Sequence, residues 1–255
     1  MKLRTTFIHW GYQCPWCEKS IETLTRLAQD GEIACRFEDV TATDRRTPLV
    51  SSFLTSAEGL PGTGSPILEK NRRMLFERAI PLPAPVDAEK PQAALDTIKE
   101  LNADTIQDSI AVCNNHTTEK SKKERWYAQN ADAYFGFVGY KAGKPVCIIE
   151  MSAAADCPFD RIERSADIAQ IICIYSNAED RDYKLDILNH AEMALAGAFK
   201  SIQIIAGRRT RYPNGTKALF EAAGYAVTRE LGPQYLLGKG YDEVYLMRKD
   251  LRTEP

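Results

Sequence analysis

The hydrophobic pattern changes period repeatedly along the chain, and each change predicts an element. Thr5, Thr6, Phe7 and Ile8 favour an extended segment from Leu3 to Trp10, and Gly11-Tyr12-Gln13 turns the chain. From Pro15 onward, Cys17, Ile21, Leu24 and Ala28 recur at i, i+4, i+7 and i+11, one face of a helix that Asp30-Gly31 stops. Ile33 to Phe37 reads as a second strand. Thr47-Pro48 resembles an N-cap with proline at the first helical position. Leu49, Val50, Phe53 and Leu54 would give that helix a buried side, and Leu60-Pro61-Gly62 and Gly64 would end it. Ser65 to Leu68 and Met74 to Ala79 are expected to pair as a hairpin across Lys70-Asn71-Arg72. The expected order is strand, helix, strand, helix, strand, strand.

The run Pro81-Leu82-Pro83-Ala84-Pro85, with Pro91 beyond it, interrupts this pattern. Closely spaced prolines continue neither a helix nor a central strand, and they stiffen a connection. Residues 81–94 are therefore expected to link a domain over 1–80 to a second over 95–255. Past the linker, Ala93 to Leu101, Ala103 to Cys113 and Lys122 to Tyr134 read as helices, the last anchored by Trp126 and Tyr127. Phe135 to Tyr140 and Pro145 to Met151 form an expected hairpin about Ala142-Gly143-Lys144. The apolar run Ile168 to Tyr175 suits a central strand. Helices over Leu185 to Ala198 and Gly215 to Ala223 flank a strand over Ile202 to Ala206, and Tyr241 to Met247 alternates as a last strand. The fold class is mixed α/β (α+β).

Bulk composition narrows the function classes. With 44% hydrophobic and 27% charged residues and a net charge of −2, the chain is of ordinary globular type. It lacks the strong basic footprint on which nucleic-acid binding leans. No stretch approaches the ~18 apolar residues of a membrane span, and the N-terminal apolar run is shorter than a signal-peptide core. The cytoplasm is the expected location, with neither nucleic acid nor a membrane as partner. In a reducing compartment the seven cysteines are mostly buried thiols.

Cys14 and Cys17 have a spacing with its own chemistry. A dithiol centre needs two sulfurs able to close a small ring, one of them a thiolate near neutral pH. A CxxC at a helix start provides both. Unpaired amides and the helix dipole favour negative charge on Cys14, while Cys17, one turn inward, can resolve a mixed disulfide. Half of a zinc site and two chance cysteines are the competing readings. His9 with these two sulfurs makes an incomplete zinc set, and no metal is expected.

Gly11-Tyr12-Gln13-Cys14-Pro15-Trp16-Cys17-Glu18, after a strand and opening a helix, resembles the thioredoxin superfamily, and the Cys-Pro-aromatic-Cys form looks most like glutaredoxins. The resemblance covers the first third of the chain. It implies a thioredoxin-like fold, with Cys14 attacking, Cys17 resolving, and a cis-proline facing the pair just before the third strand. Ser65-Pro66 stands there in the expected order. Gln13, Trp16 and Ser65 would meet a thiol-containing client, protein or small molecule.

Residues 95 to 250 resemble the GNAT superfamily of acyl-CoA-dependent N-acyltransferases in three stretches. These are Gly143-Lys144-Pro145-Val146-Cys147-Ile148-Ile149-Glu150; the strand Ile171-Ile172-Cys173-Ile174-Tyr175 running into a helix; and Asn214 to Leu219 followed by Phe220-Glu221-Ala222-Ala223-Gly224-Tyr225. The resemblance implies acetyl-CoA or another acyl-CoA as cofactor, held by Arg181, Lys184 and Asn214. The chain departs from the family at its phosphate loop. Arg181-Asp182-Tyr183-Lys184-Leu185-Asp186 carries no glycine where the family uses Arg-Gly-x-Gly-x-Gly or Ala, and two of its side chains are anionic. The family's frequent acid tyrosine falls on Phe220, so weak or absent acetyl-CoA binding is expected.

The remaining candidates read more simply. Cys147 and Cys173 suit core strands, and Cys157, before Pro158, is the expected exposed thiol. His116 and His190 suit surface or core roles, and Arg208-Arg209-Thr210-Arg211 a solvated loop or an anion contact. Three functions follow: thiol–disulfide chemistry at the CPWC site coupled to a GNAT-like domain that binds a client; N-acetyl transfer in which the thioredoxin-like domain recognises a thiol substrate or regulates it; and non-catalytic binding.

Overall fold

The computed structural model describes residues 2–40, 51, 53–58, 60–77, 82–113 and 122–251. The N-terminal elements are β1 (Leu3–His9), α1 (Pro15–Gln29), β2 (Ile33–Asp39), β3 (Phe53–Ala57), β4 (Leu60–Gly62) and α2 (Glu69–Glu77). Their sheet has the order β2-β1-β3-β4, with β1 parallel to β2 and antiparallel to β3. Helix α1 buries Cys17, Leu24 and Leu27 against Phe7, Ile33 and Phe53. The expected strand, CPWC helix and strand are present.

The second sheet has seven strands in the order β10-β11-β9-β8-β7-β6-β5. They are β5 (Thr97–Glu100), β6 (Tyr134–Lys141), β7 (Lys144–Ala153), β8 (Ile168–Ser176), β9 (Ser201–Gly207), β10 (Ala226–Leu236) and β11 (Gly240–Asp250). Strand β8 is the middle one, as its apolar run predicts. Helix α5 (Lys184–Leu195) covers one face through Ile187, Leu188 and Ala191. Helices α3 (Ile106–Cys113) and α4 (Lys123–Asn130) lie on the other face, and α6 (Lys217–Ala222) precedes β10. Trp10 and Leu54 of the N-terminal sheet join the core beneath α3 and α4, so one hydrophobic cluster spans both sheets. No helix among the described residues is long and apolar enough to cross a membrane.

Several expectations are corrected. Phe53 and Leu54 lie in β3, not in a helix, and residues 47–50 fall outside the described set. Phe53 faces the N-terminal core and Leu54 the shared core, so β3 is buried on both faces and shows no alternation. The hairpin expected over residues 65–79 is instead a turn and α2, whose Arg73 bonds Glu69 one turn back at 2.9 Å. Residues 97–100, expected to be helical, form the edge strand β5 against β6. Tyr134 begins β6 and does not extend α4. Strand β10 was not anticipated. The proline-rich stretch lies along the second sheet: the Ala84 amide donates to Tyr241 O at 2.7 Å, and the Tyr241 amide to Leu82 O at 2.8 Å.

Candidate active site at the Cys14 turn

Strand β1 ends at His9, and the turn after it delivers Cys14 to the N-cap of α1. Cys14 is extended (φ −113°, ψ 130°) and Pro15 occupies N1, where its missing N–H costs no hydrogen bond. Cys14 is half-buried, Cys17 is buried, and neither forms a disulfide. The Cys17 thiol hydrogen-bonds the Cys14 sulfur and holds the Cys14 thiol below the usual value. Burial opposes this, while Lys123 and the Trp16 amide add to it. The Cys17 thiol is pushed well up, by burial first and then by Cys14. The turn therefore holds one sulfur biased toward thiolate and one biased toward thiol.

The neighbouring side chains tie this turn to the second sheet. Gln13 is buried, and its Nε2 donates to Tyr134 Oη at 2.5 Å and to Glu150 Oε2 at 2.9 Å. The Trp16 indole N–H donates to Cys113 O at 3.1 Å. Glu150 Oε2 also accepts from Tyr134 Oη at 2.6 Å, while Oε1 accepts from Ser109 at 2.6 Å and from Lys123 Nζ. Lys123 and Glu150 have side chains 0% and 1% exposed. Burial acts to lower the Lys123 ammonium's pKa, but Glu150, with Cys113 and Cys14, outweighs it and the net direction is up. Lys123, Glu150, Tyr134 and Ser109 were not singled out from the sequence. A glutamate inside the apolar run Cys147-Ile148-Ile149-Glu150-Met151 was the available signal.

Ser65 and Pro66 are both buried. Ser65 Oγ meets Ser20 Oγ of α1 at 2.9 Å. They do not precede the third strand, which is Phe53–Ala57; they follow β4 and lead into α2. The expected cis bond at Ser65–Pro66 is absent, and the cis bond among the described residues is Tyr212–Pro213. The misplacement follows from reading β3 as helix. Cys157, expected to be exposed, is 0% exposed, and burial raises its thiol to about 12.

Arg181, Lys184 and Asn214 lie together elsewhere, at a cavity of about 240 Å³ also lined by Lys90, Arg211 and Lys239 and by Asp87 and Asp182. Strands β8 and β9 pair only over Ile168–Ile171 with Ser201–Ile204 and part beyond. Asn214 spans the gap, its Oδ1 accepting from Ile174 N at 3.2 Å and its Nδ2 donating to Ile205 O at 3.0 Å. The start of α5 does not fit the phosphates of an acyl-CoA. The Lys184 amide already donates to Asp182 Oδ1 at 3.0 Å and the Leu185 amide to Gln92 Oε1 at 3.4 Å. Asp186 accepts the Leu95 amide at 2.8 Å, and the backbone of residues 91–93 pairs with Asp182. Lys184 Nζ is held by Asp182 and by Asn214 O, both at 3.3 Å. Phe220 is packed in the core.

No protein-family model and no curated protein sequence matches this chain. Solved structures similar to it include N-acetyltransferases. The ribosomal-protein-S18-alanine N-acetyltransferase from Escherichia coli is 15% identical, covers 62% of this chain over 96% of its own length, and has a TM-score of 0.46. An acetyltransferase of GNAT family from Streptococcus pneumoniae is 17% identical, with coverages of 61% and 99% and a TM-score of 0.44. A putative acetyltransferase from Salmonella typhimurium, solved with its cofactor acetyl-CoA, is 13% identical, with coverages of 62% and 95% and a TM-score of 0.47. The chain is a mixed α/β protein, and these acetyltransferase structures align with about three fifths of its length.

Proposed function

We propose that this protein performs thiol–disulfide exchange at Cys14 and Cys17, on a thioredoxin-like N-terminal domain joined to a GNAT-like one. One observation carries the reading: the sulfur of the half-buried residue Cys14 at the N-cap of α1 is held below the usual thiol value, one turn from a buried partner thiol. The Cys14 thiolate attacks one sulfur of a client disulfide. The client S–S bond breaks, the attacked sulfur stays bonded to Cys14, and the other client sulfur leaves and takes a proton from solvent. Cys17 then gives up its proton and attacks the Cys14 sulfur, releasing the second client thiol and leaving a Cys14–Cys17 disulfide. The client gains two electrons and the cysteine pair loses two; a low-molecular-weight thiol or dithiol reductant restores the pair.

Glutathione disulfide with the Cys17→Ser variant tests this reading. A mixed disulfide should accumulate on Cys14 by mass spectrometry, whereas the unaltered protein should release both thiols. An adduct on another cysteine, or none, would sink it. The parting of β8 and β9 favours acyl transfer to a thiol-bearing substrate as the second reading. Against it stand the occupied amides of α5. Micromolar acetyl-CoA binding in a calorimetric titration would put acyl transfer first.

A further inference from the structure

The buried pair Lys123–Glu150 needs a reason to exist. Two charges taken from water cost several kcal/mol each, and a well-packed apolar pair often serves stability equally well. Neither residue belongs to the sheet that bears the cysteines: Lys123 starts α4 and Glu150 lies on β7. Their partners converge on one place. Both Glu150 oxygens are occupied, by Gln13 and Tyr134 on one side and by Ser109 and Lys123 on the other. Gln13 is the residue directly before Cys14, and Tyr134 Oη accepts from the same Gln13 amide, closing a ring of hydrogen bonds. The carboxylate thereby fixes the backbone that presents the sulfur, and the ammonium beside it acts on the same sulfur.

We propose that Lys123 and Glu150 are positioning residues for Cys14: Glu150 holds the CPWC turn through Gln13, and Lys123 sets a positive charge within electrostatic reach of the Cys14 sulfur. The reactive site is then composite, its nucleophile from one sheet and its electrostatic setting from the other. This inference rests on Cys14 being the reactive thiol, as in the proposed function. Lys123 favours the Cys14 thiolate and Glu150 opposes it more weakly. The other titratable groups facing Cys14 are Cys17 on α1, Cys113 on α3, Cys173 on β8 and Tyr212 after β9. Burial raises all four, so they stay protonated near neutral pH and the Lys123–Glu150 pair supplies the charge.

The two partners have opposite signs, which separates positioning from mere structural support. The test is the pH dependence of Cys14 alkylation by iodoacetamide, followed site by site in the full chain by mass spectrometry. Lys123→Met removes the favourable charge, so the half-maximal pH should rise by about one unit or more. Glu150→Gln removes the opposing carboxylate, and the Cys14 thiolate itself still favours the ammonium, so the half-maximal pH should fall. The Lys123→Met/Glu150→Gln double variant should rise by no more than Lys123→Met alone. Shifts of both single variants in one direction, or no shift in a variant whose circular dichroism matches the unaltered protein, would overturn the inference. Should Lys123→Met fail to fold, the near-isosteric Glu150→Gln decides the matter by its downward shift or its lack. Alkylation requires no client disulfide, so failure of the exchange reaction leaves this readout intact. Preferential labelling of another cysteine would instead overturn the functional reading.

Discussion

At the scale of single residues, Cys14 and Cys157 show how environment divides one side chain into two chemistries. Cys14 has Cys17 and Lys123 beside it and lies below the usual thiol range, while burial chiefly sets Cys157 high. Alkylation follows the thiolate, so the Cys14 rate rises with pH through its pKa. Its half-maximal pH is expected below that of an unperturbed cysteine. Brief iodoacetamide treatment at pH 7 should label Cys14 first and leave Cys157 unlabelled, as read by peptide mapping. Cys17→Ser keeps a hydroxyl donor near Cys14 but removes the resolving sulfur. Disulfide reduction should therefore stop after one half-reaction while Cys14 still alkylates, which a turnover assay with glutathione disulfide would record.

At the scale of elements, the proline-rich stretch acts as a strap along the second sheet. Its closest approach is at Gly240, the first residue of β11, where φ is +121° and an added Cβ would sit 2.1 Å from Leu82 O. Gly240→Ala should therefore destabilise the protein by about 1–3 kcal/mol, seen as a lowered midpoint in thermal unfolding. Asp87 fastens the same strap through Lys239 at 2.8 Å and the Arg211 amide at 2.9 Å. Burial works to raise the Asp87 pKa, but Lys239 and Arg211 outweigh it and the net direction is down. A folded-state value below the unfolded one gives stability that is present above the unfolded pKa of about 3.9 and is lost as pH falls through the folded value. Asp87→Asn should remove that acid-side component, so its urea midpoint should change less between pH 6 and pH 3 than that of the unaltered protein.

At the scale of the whole molecule, Trp10 is the wedge between the sheets. It is 8% exposed and meets Trp126, Tyr134 and Phe159 edge-on, with centroids 5.5, 6.1 and 6.5 Å away. Trp10→Ala should cost about 3–5 kcal/mol, a fall of roughly 6–20 °C in Tm for a chain of this size. It should also raise the half-maximal pH of Cys14 alkylation, because the wedge keeps α1 against Lys123. The same packing explains why Lys123 and Glu150 escape a reading along the chain. They lie 27 positions apart, and only the docking of α4 onto β7 brings them together near Cys14.

Where an element's hydrogen bonds and its apolar stripe are both local, the amino-acid order determined it. The CPWC helix is such a case, with its proline at N1 and its apolar face from Cys17 to Ala28. So is the hairpin of β6 and β7, turned by Ala142-Gly143. The chain's order also placed Cys14 at a helix start, and with it the candidate chemistry. Tertiary structure decided what distant partners supply. Phe53-Leu54 became strand because β1 supplies their ladder partners, His9 and Ile8. Residues 97–100 became strand because β6 offered a free edge. Cys157 became inert because Phe159 and Ile168 share its core cluster. A helix closes its hydrogen bonds four residues away, whereas a strand, a buried thiol and a buried ion pair take their character from residues the chain reaches only by folding.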